Sequence, residues 1–405
     1  MKELLKTYRR EMEQELEEIL SYWLKNTIDQ EHGGFAGRID HDNRIYTEAP
    51  KGSVLNSRIL WTFSAAYRHT KKEEYLDAAR RAFHYLLNYF IDKEYGGVYW
   101  SVDAWGQPLD TKKQIYALSF AIYGLTEFYR ASGEPQALEA ALQLHHDIIT
   151  HSYDPVHGGY IEALTRDWKE IGDQRLSAKD ANERKSMNTH LHVLEAFANL
   201  YIVAPRAVLK DQLAELVNIF LDHIIDKKSG HLILFFDDAW EPRSQVVSYG
   251  HDIEAAWLLQ EAAELLDDGQ LLREVKEQSL RLAQAASRGL DDDGGLWYEY
   301  DAAGEHWIRQ KHSWPQAEAM VGFLNAGEIR KDEKLMERSW RSWKFVQAHI
   351  RDQKSGEWYW GIEEDGTPMT AEDKVGIWKC PYHNSRACLE VIHRLNRVLA
   401  NQLVP

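Results

Sequence analysis

A short turn that contains glycine recurs along this chain at a spacing of roughly 60 to 70 residues. Its six copies are His32-Gly-Gly-Phe35, Tyr95-Gly-Gly-Val98, His157-Gly-Gly-Tyr160, Ser229-Gly-His231, Asp293-Gly-Gly-Leu296 and Ser355-Gly-Glu357. A constant spacing of this length is typical of a repeat architecture, in which one supersecondary unit is written several times. The turns therefore predict six similar units, and no Pro/Ser-rich stretch or low-complexity tract separates them.

Each unit contains two helical patterns of apolar residues. The pattern before the turn is amphipathic, for example over residues 4–24, 74–90, 209–225 and 335–350. An aromatic stretch such as Val98-Tyr-Trp-Ser101 follows the turn and predicts a short β-hairpin. The second pattern is more apolar and holds fewer charges, over residues 53–67, 114–128, 187–201, 251–266, 314–324 and 383–399.

Six helix pairs, each with a polar outer and an apolar inner member, predict an all-α fold. We expect an (α/α)6 barrel of six inner and six outer helices, with short β-hairpins in the loops and residues 1–405 in a single domain. An open helical solenoid is the competing architecture. Closure is favoured because the count stops at six and no capping repeat is evident.

Composition excludes several classes of protein. The formal net charge of −16 argues against nucleic acid and against an anionic membrane surface as partners. No apolar run reaches membrane length, the N-terminus has no apolar signal core, and two cysteines cannot make a disulfide framework. We expect a cytoplasmic monomer. The 15 Trp and 20 Tyr residues make a sugar-binding cleft one candidate for the site.

The stretch from Ser248 to Trp257 combines a turn with the start of an apolar helix. His251, Glu254 and Trp257 are spaced by three residues and therefore share one helix face. A histidine in the first helical turn lies at the positive end of the helix dipole, which disfavours the imidazolium. The neutral ring can act as a base near pH 7. The alternative is a buried histidine that bonds a neighbouring carboxylate.

Residues of similar type, namely histidine, glutamate and arginine, occupy equivalent positions when the six inner helices are aligned at their predicted starts. One column holds Arg58, Tyr116, Glu195, Glu254, Glu318 and Arg386. The column three residues earlier holds Leu55, Lys113, His192, His251, Pro315 and His383. In a closed barrel these helix ends meet at one mouth, so the columns predict one pocket rich in histidine, glutamate and arginine. His190, two residues from His192, should point to a different face.

These residue types favour proton transfer over other chemistry. No local metal-ligand motif such as HExxH is present, and two arginines would repel a cation, so no metal is predicted. A glycoside hydrolase would use two carboxylates and leave the histidines unexplained. A barrel that only binds sugar is a further alternative. Histidine bases with an arginine suit removal of a proton next to a carbonyl and stabilisation of the resulting enediolate.

Six segments together resemble the N-acylglucosamine 2-epimerase superfamily and, within it, the cellobiose 2-epimerases. They are Lys51-Gly-Ser-Val-Leu-Asn-Ser-Arg58, Lys113-Gln-Ile-Tyr116, residues 176–195, Ser248-Tyr-Gly-His251-Asp-Ile-Glu254, Trp314-Pro-Gln-Ala-Glu318 and Trp378-Lys-Cys-Pro-Tyr-His383-Asn-Ser-Arg386. The resemblance covers essentially the whole chain. It implies an (α/α)6 barrel, no essential cofactor, and reversible epimerisation at C2 of the reducing-end sugar of β-1,4-linked disaccharides such as cellobiose and lactose.

The resemblance also implies residue roles. His251 and His383 would be the two bases that act on opposite faces of C2, while Arg58 and His192 would hold the C1 and C2 oxygens. The implied substrate-binding residues are Tyr116, Asn188 and Glu254 for hydroxyl groups, Trp314 and Trp378 as stacking walls, and Ser177 and Asp180 for the non-reducing sugar, with Trp257 and Glu318 completing the set. The residues themselves support only a trio of histidines. A mannose 2-epimerase or an aldose–ketose isomerase acting on monosaccharides remains the alternative, because both reactions share the enediolate.

Overall fold

The computed structural model describes residues 1–401, which contain twelve α-helices in two concentric rings. The outer helices are α1 (Lys2–Asn26), α3 (Glu73–Tyr85), α5 (Pro135–His151), α7 (Ala207–Ile219), α9 (Gly269–Ala286) and α11 (Glu333–Phe345). The inner helices are α2 (Ser53–Thr70), α4 (Ile115–Ser132), α6 (Met187–Val203), α8 (Tyr249–Glu264), α10 (Ser313–Arg330) and α12 (Tyr382–Asn401). All the helical patterns predicted from the sequence correspond to these helices. Residues 402–405 of the predicted domain lie outside the described part.

The inner helices form a closed ring. Each of them packs against the next, from α2 through α4, α6, α8 and α10 to α12, and α12 packs against α2. The outer helices pack one behind each inner helix, and α1 lies against α12, so the first helix of the chain backs the last. The (α/α)6 barrel is therefore confirmed, and the open solenoid is wrong for this chain.

The difference between the rings follows from their sequences. Helix α4 is apolar around nearly its whole circumference, which is typical of a helix buried on all sides. Helix α3 is amphipathic and buries Leu76 and Phe83 on the side opposite its charged residues. Gly124 on α4 lets neighbouring inner helices approach closely, because a Cβ there would lie 2.6 Å from the Ser57 carbonyl oxygen.

Twelve short strands surround the barrel mouth. They are β1 (Lys51–Gly52), β2 (Ser101–Val102), β3 (Pro108–Asp110), β4 (Lys113–Gln114), β5 (Ala163–Leu164), β6 (Lys185–Ser186), β7 (Phe235–Phe236), β8 (Val246–Ser248), β9 (Glu299–Asp301), β10 (His306–Ile308), β11 (Lys311–His312) and β12 (Gly361–Ile362). Hairpins join β2 to β3 and β9 to β10. Every other antiparallel pair links the last strand of one unit to the first strand of the next, as β1 pairs with β2. A bridge between Ile39 and Val375 links the last unit to the first.

A buried ion pair recurs in five of the six units and ties the strand region to the glycine turn. Each pair joins the Nζ atom of a lysine to the Oδ2 atom of an aspartate, and this aspartate follows the outer helix of its unit. The pairs are Lys51–Asp29 at 2.7 Å, Lys113–Asp92, Lys185–Asp154 and Lys311–Asp291 at 2.8 Å, and Lys374–Asp352 at 2.6 Å. These lysines are nearly inaccessible to solvent. Four of them lie two residues before an inner helix and fix its start relative to the turn beside it, whereas Lys374 lies eight residues before α12.

The lysines correct the helix alignment made from the sequence. Arg58 lies seven residues after Lys51, and the same count from Lys113 leads to Phe120, not to Tyr116. Counted in the same way from Lys185 and Lys311, His192 and Glu318 are also equivalent to Arg58. Tyr116 lies one turn nearer the mouth and Glu195 one turn deeper, and both keep the inward face because residues three or four apart share it. Lys113 is not in the pocket, since it pairs with Asp92.

None of the helices within residues 1–401 is both long and apolar enough to span a bilayer. The expected monomeric state, cytoplasmic location and independence of a cofactor stay predictions.

Candidate active site

Three histidines from different inner helices lie at the barrel mouth, and each of them hydrogen-bonds another side chain through its Nδ1 atom. His192 is on α6, His251 on α8 and His383 on α12. Their Nδ1 atoms contact Glu195 Oε2 at 2.9 Å, Ser248 Oγ at 2.8 Å and Glu318 Oε1 at 2.6 Å, respectively. Among residues 1–401, no protein atom bonds any of their Nε2 atoms. Each ring therefore presents one uncommitted nitrogen.

These histidines are neutral near pH 7. Burial lowers the pKa of His251 to about 3, with a further contribution from its histidine neighbours, and burial lowers the pKa of His383 to about 4. Burial also lowers the pKa of His192. A carboxylate accepts the Nδ1 proton of His192 and of His383, which leaves the lone pair of each ring on Nε2. The alternative stated for His251, a bond to a neighbouring carboxylate, is found instead at His192 and His383, where it orients each ring as a base.

The guanidinium of Arg386 on α12 lies among three carboxylates. Its Nη2 donates to Glu254 Oε1 and to Glu318 Oε1, each at 2.7 Å, and its Nη1 donates to Glu195. All of these groups are nearly inaccessible to solvent. Buried carboxylates of this kind are tolerable only when they are paired and hydrogen-bonded. Arg386 therefore holds the acidic residues of α6, α8 and α10 in place.

The carboxylates that share Arg386 differ in protonation. Burial and the neighbouring charge of Glu318 raise the pKa of Glu254. Burial would also raise the pKa of Glu318, but Arg386 and His383 outweigh it and lower that pKa below its ordinary value. Glu318 is thus the ionised partner that accepts the proton of His383. The raised pKa of Glu254 favours its protonated form, which can donate a hydrogen bond.

The same residues explain why a metal is a poor fit here. Ligand atoms of Glu254, Glu318 and His383 lie within 4.8 Å of one another, which is close enough to share a cation. The Arg386 Nη2 already lies 2.7 Å from an oxygen of each glutamate and supplies the positive charge. A metal ion would have to displace that guanidinium.

Arg58 on α2 is surrounded differently. Its Nη2 donates to the Tyr116 hydroxyl at 2.7 Å, and its Cζ lies 4.1 Å from the ring centroid of Phe120. No carboxylate in residues 1–401 pairs with it. The Phe120 ring also contacts His192, at 4.6 Å between centroids. Arg58 therefore brings an uncompensated positive charge close to His192.

Aromatic side chains surround His251 and His383, which are both half-buried. The ring of Trp314 lies 4.7 Å from that of His251 and 5.6 Å from that of His383, so one indole contacts both. Trp378 is half-buried and packs on Trp100, 5.6 Å away. Trp100 was not predicted as a site residue, although it belongs to the aromatic stretch after the second glycine turn. Ser248, which holds His251, was also missed as a site residue.

Two residues predicted to bind substrate have other contacts. Trp257 is 1% exposed, lies against the Arg386 guanidinium at 4.8 Å, and donates from Nε1 to Glu318 Oε2 at 3.0 Å. Both oxygens of Glu318 are occupied by Trp257, His383 and Arg386. Both side chains are buried beside Arg386 and His383, and their part in substrate binding stays a prediction. Helical spacing predicted their face correctly, but it carries no information on depth.

The loop before α6 contributes the remaining predicted residues. The Ser177 amide donates to Asp180 Oδ2 at 2.8 Å, and the Asp180 amide donates to the Ser177 carbonyl oxygen at 3.2 Å. Asp180 and Asn188 line one small cavity between this loop and the start of α6. The Asn188 Oδ1 atom is buried and has no hydrogen-bond partner in the described part of the chain. His190 is separate, because it bonds the Tyr160 amide and the Ser186 carbonyl oxygen.

A sequence profile of the N-acylglucosamine 2-epimerase (GlcNAc 2-epimerase) family matches residues 10–387. The chain belongs to the N-acylglucosamine 2-epimerase family. The family resemblance seen in the sequence is thereby confirmed.

Within this family, the chain is 51% identical to the cellobiose 2-epimerase of Bacteroides fragilis over 393 residues, which covers 97% of this chain and 100% of that one. The structure of the cellobiose 2-epimerase from Bacillus thermoamylovorans B4167 superimposes with a TM-score of 0.92 at 40% identity, over 96% of this chain and 100% of that one. The cellobiose 2-epimerase from Spirochaeta thermophila gives a TM-score of 0.92 at 37% identity, over 98% of each chain.

Proposed function

We propose that this chain epimerises the reducing-end sugar of β-1,4-linked disaccharides at C2, converting cellobiose to glucosyl-mannose and lactose to epilactose. The similarity to cellobiose 2-epimerases over nearly the whole chain supports the substrate class. The observation that carries the chemistry is the pair formed by His251 and His383. Both rings are half-buried, both contact Trp314, and both keep Nε2 free of partners within residues 1–401.

The first step is proton removal from C2 of the opened sugar. Ring opening gives the C1 aldehyde, which makes the C2 hydrogen acidic. The His383 Nε2 lone pair takes this proton as the C2–H bond breaks. The electron pair of that bond forms the C1–C2 double bond while the π pair of the C1 carbonyl moves onto O1, which gives a cis-enediolate. Glu318 stabilises the imidazolium that forms, because it accepts the Nδ1 proton of His383 at 2.6 Å.

The second step returns a proton to the other face of C2. His251 has its pKa lowered to about 3 in the empty site, but an adjacent enediolate favours the charged ring and raises that pKa. The ring, protonated from solvent, then donates from Nε2 to C2. The C1–C2 π pair forms the new C2–H bond, the pair on O1 restores the aldehyde with inverted C2, and His383 returns its proton to solvent. Ser248 keeps the ring in place through Nδ1. The roles of the two histidines exchange in the reverse direction.

Arg58 and His192 fit the stabilisation of the enediolate. Arg58 has a fixed positive charge without a carboxylate partner among residues 1–401, so it can compensate the negative charge of O1 and O2. A buried charge acts strongly there because little water screens it. The protonated Glu254 and the Tyr116 hydroxyl are suited to bind sugar hydroxyl groups.

Trp314 and Trp378 are suited to stack on the pyranose rings. Asp180, with Ser177 and Asn188, lies outside the histidine ring of the mouth and fits the non-reducing sugar. This loop supports a disaccharide over mannose as the substrate.

The test is the fate of cellobiose incubated with the protein in heavy water and followed by proton NMR. Glucosyl-mannose that carries deuterium at C2 is expected. Free glucose would identify a glycoside hydrolase, a ketose would identify an isomerase, and unchanged cellobiose would leave only sugar binding. Mannose and glucose, tested in parallel, separate a disaccharide epimerase from a mannose 2-epimerase.

A further inference from the structure

Two of the six glycine turns depart from the pattern of the others. The second turn residue is glycine at positions 34, 97, 159 and 295, whereas the fourth and sixth units carry His231 and Glu357 there. The positions are equivalent in all six units. In each unit the carbonyl oxygen of this residue accepts a hydrogen bond from the amide of an aspartate that follows the outer helix, and in the fourth unit this aspartate is Asp226. The fourth and sixth units are also those whose inner helices carry His251 and His383.

Glu357 adopts a backbone conformation that suits glycine. Its φ of 64° lies beside the 63° of Gly34 and the 69° of Gly97, in the left-handed region that disfavours a side chain. Its carboxylate is buried and accepts hydrogen bonds from four groups. The donors are the Trp23 indole, the Trp358 amide at 2.8 Å, Lys379 Nζ at 3.1 Å and Asn384 Nδ2 at 2.7 Å. Asn384 directly follows His383 in α12.

His231 makes the corresponding contact to α8. Its Nε2 accepts from Arg288 at 3.1 Å, so the ring proton is on Nδ1, which donates to Asp252 Oδ2 at 2.6 Å. The other oxygen of Asp252 accepts from the Leu232 amide at 2.8 Å. Asp252 is buried and directly follows His251 in α8.

Units without a base histidine at this position lack the additional side chain. In the fifth unit, Gln316 bonds only backbone groups, including the Leu296 amide at 2.7 Å, and it follows Pro315. In the third unit, His190 accepts from the Tyr160 amide at 2.9 Å and follows Thr189. Thus a turn side chain contacts the residue that directly follows each of the two histidines: His231 bonds Asp252 after His251, and Glu357 bonds Asn384 after His383.

We propose that Glu357 and His231 are positioning residues that fix the first turns of α12 and α8, so that His383 and His251 address opposite faces of the substrate. This inference rests on the proposed function, which assigns the two histidines as bases. Glu318 and Ser248 fix the orientation of the rings, and the turn side chains fix the backbone that carries them. Removing either turn contact should displace one base without changing the sugar-binding walls.

The test uses Glu357→Gly and His231→Gly, each of which restores the glycine pair of the other units. We expect kcat on cellobiose to fall about ten- to a hundredfold in each variant, because a small displacement of a catalytic group has a large effect on rate. KM should stay within about twofold, because binding groups are untouched. The comparison variant is Gln316→Met, which removes the equivalent link to α10; because Trp314 on α10 contacts both histidines, any loss there should affect the two epimers equally.

A second readout separates positioning from general loosening of the fold. In heavy water, Glu357→Gly should slow C2 exchange starting from one epimer, and His231→Gly should slow exchange starting from the other. Loss of exchange from the same epimer in both variants, or wild-type kcat in either, overturns the inference. If Glu357→Gly does not fold, Asn384→Ala carries the test, since it removes only the final link to α12.

The proposed function fails in a different way. His383→Asn and His251→Asn would then keep epimerase activity, whatever the glycine variants do. If both asparagine variants are inactive and the glycine variants equal the wild type, only the positioning inference is wrong.

Discussion

The barrel mouth contains the same tripeptide twice, in two very different settings. Asn56-Ser57-Arg58 lies on α2 and Asn384-Ser385-Arg386 lies on the adjacent helix α12. Both guanidinium groups lie near the Tyr382 ring, with Cζ at 5.0 Å for Arg58 and 4.3 Å for Arg386. Arg386 bonds three carboxylates, whereas Arg58 bonds a tyrosine hydroxyl and pairs with no carboxylate in residues 1–401.

The facing helices cause this difference. We call the Glu254, Glu318 and Arg386 side of the mouth the acidic half, and the Arg58, Tyr116 and Phe120 side the aromatic half. In the acidic half, buried glutamates pair with the charge of Arg386, and one of them, Glu318, orients His383. In the aromatic half the charge of Arg58 remains available for a substrate. We therefore propose that the same sequence serves structure on α12 and catalysis on α2, and that the partners of each arginine decide which.

The largest expected effect is on catalysis, from Arg58→Met. The loss of an uncompensated charge near the enediolate should lower kcat/KM for cellobiose by about a thousandfold. Folding should survive, because no buried carboxylate loses its partner. Steady-state kinetics and a thermal melt check both points, and a variant that keeps its activity would remove Arg58 from the mechanism.

Arg386→Met should have the opposite profile. It leaves Glu195, Glu254 and Glu318 buried without their shared cation, which should cost about 3–5 kcal/mol of unfolding free energy. Urea unfolding beside Arg58→Met measures the contrast directly. Equal stability of the two variants would contradict the division of the mouth into two halves.

The lowered pKa values of His383 and His251 predict that the free energy of unfolding depends on pH. The pKa is about 4 for His383 and about 3 for His251 in the folded protein, and about 6.5 for histidine in an unfolded chain. Between these values the unfolded state binds more protons, so stability is complete above about pH 6.5 and is lost as the pH falls. Each histidine contributes a slope of about 1.4 kcal/mol per pH unit. His383→Asn should therefore lose less stability than the wild type between pH 7 and pH 5 in urea unfolding, and equal losses would speak against this assignment.

A smaller effect is expected outside the two halves, from Asp180→Ala. If Asp180 binds the non-reducing sugar, kcat/KM for cellobiose should fall about ten- to a hundredfold, the value of one hydrogen bond to a charged group. The activity on mannose should change far less, because mannose has no second ring. Parallel kinetics on the two sugars give the answer, and equal losses would favour a mannose 2-epimerase.

The smallest effect should come from Trp257→Phe. The variant loses one hydrogen bond to Glu318, which keeps its bonds to His383 and Arg386, so kcat should fall only about fivefold. KM should not change, because the indole is 1% exposed and its Nε1 is bonded to Glu318. A rise of KM without a change of kcat would restore Trp257 to the sugar-binding residues.

Much of the fold could be predicted from the sequence because its determinants are local. Repeat spacing and the period of apolar residues are readable one unit at a time, and they led to the closed barrel. Helix register was harder, since it depends on buried pairs such as Lys113–Asp92 that join residues from different elements. The predicted columns were therefore displaced in the second and third units.

The site was predicted in its residue types but not in its division of roles. Burial depth separates Trp257 from Trp314, and a carboxylate partner separates Arg386 from Arg58, but neither property is visible in a helical period. Contacts also separate the histidines. His251 and His383 share Trp314, while His192 lies beside Phe120.

The central claim, that two histidines act on opposite faces of C2, is tested most directly by C2 exchange in His251→Asn and His383→Asn. Asparagine cannot act as the base. We expect each variant to lose net epimerisation by several orders of magnitude in heavy water. We also expect that at least one of them still exchanges deuterium into unreacted sugar, because its remaining base works on one face alone. Substantial epimerisation in both variants would contradict the two-base assignment and direct attention to His192.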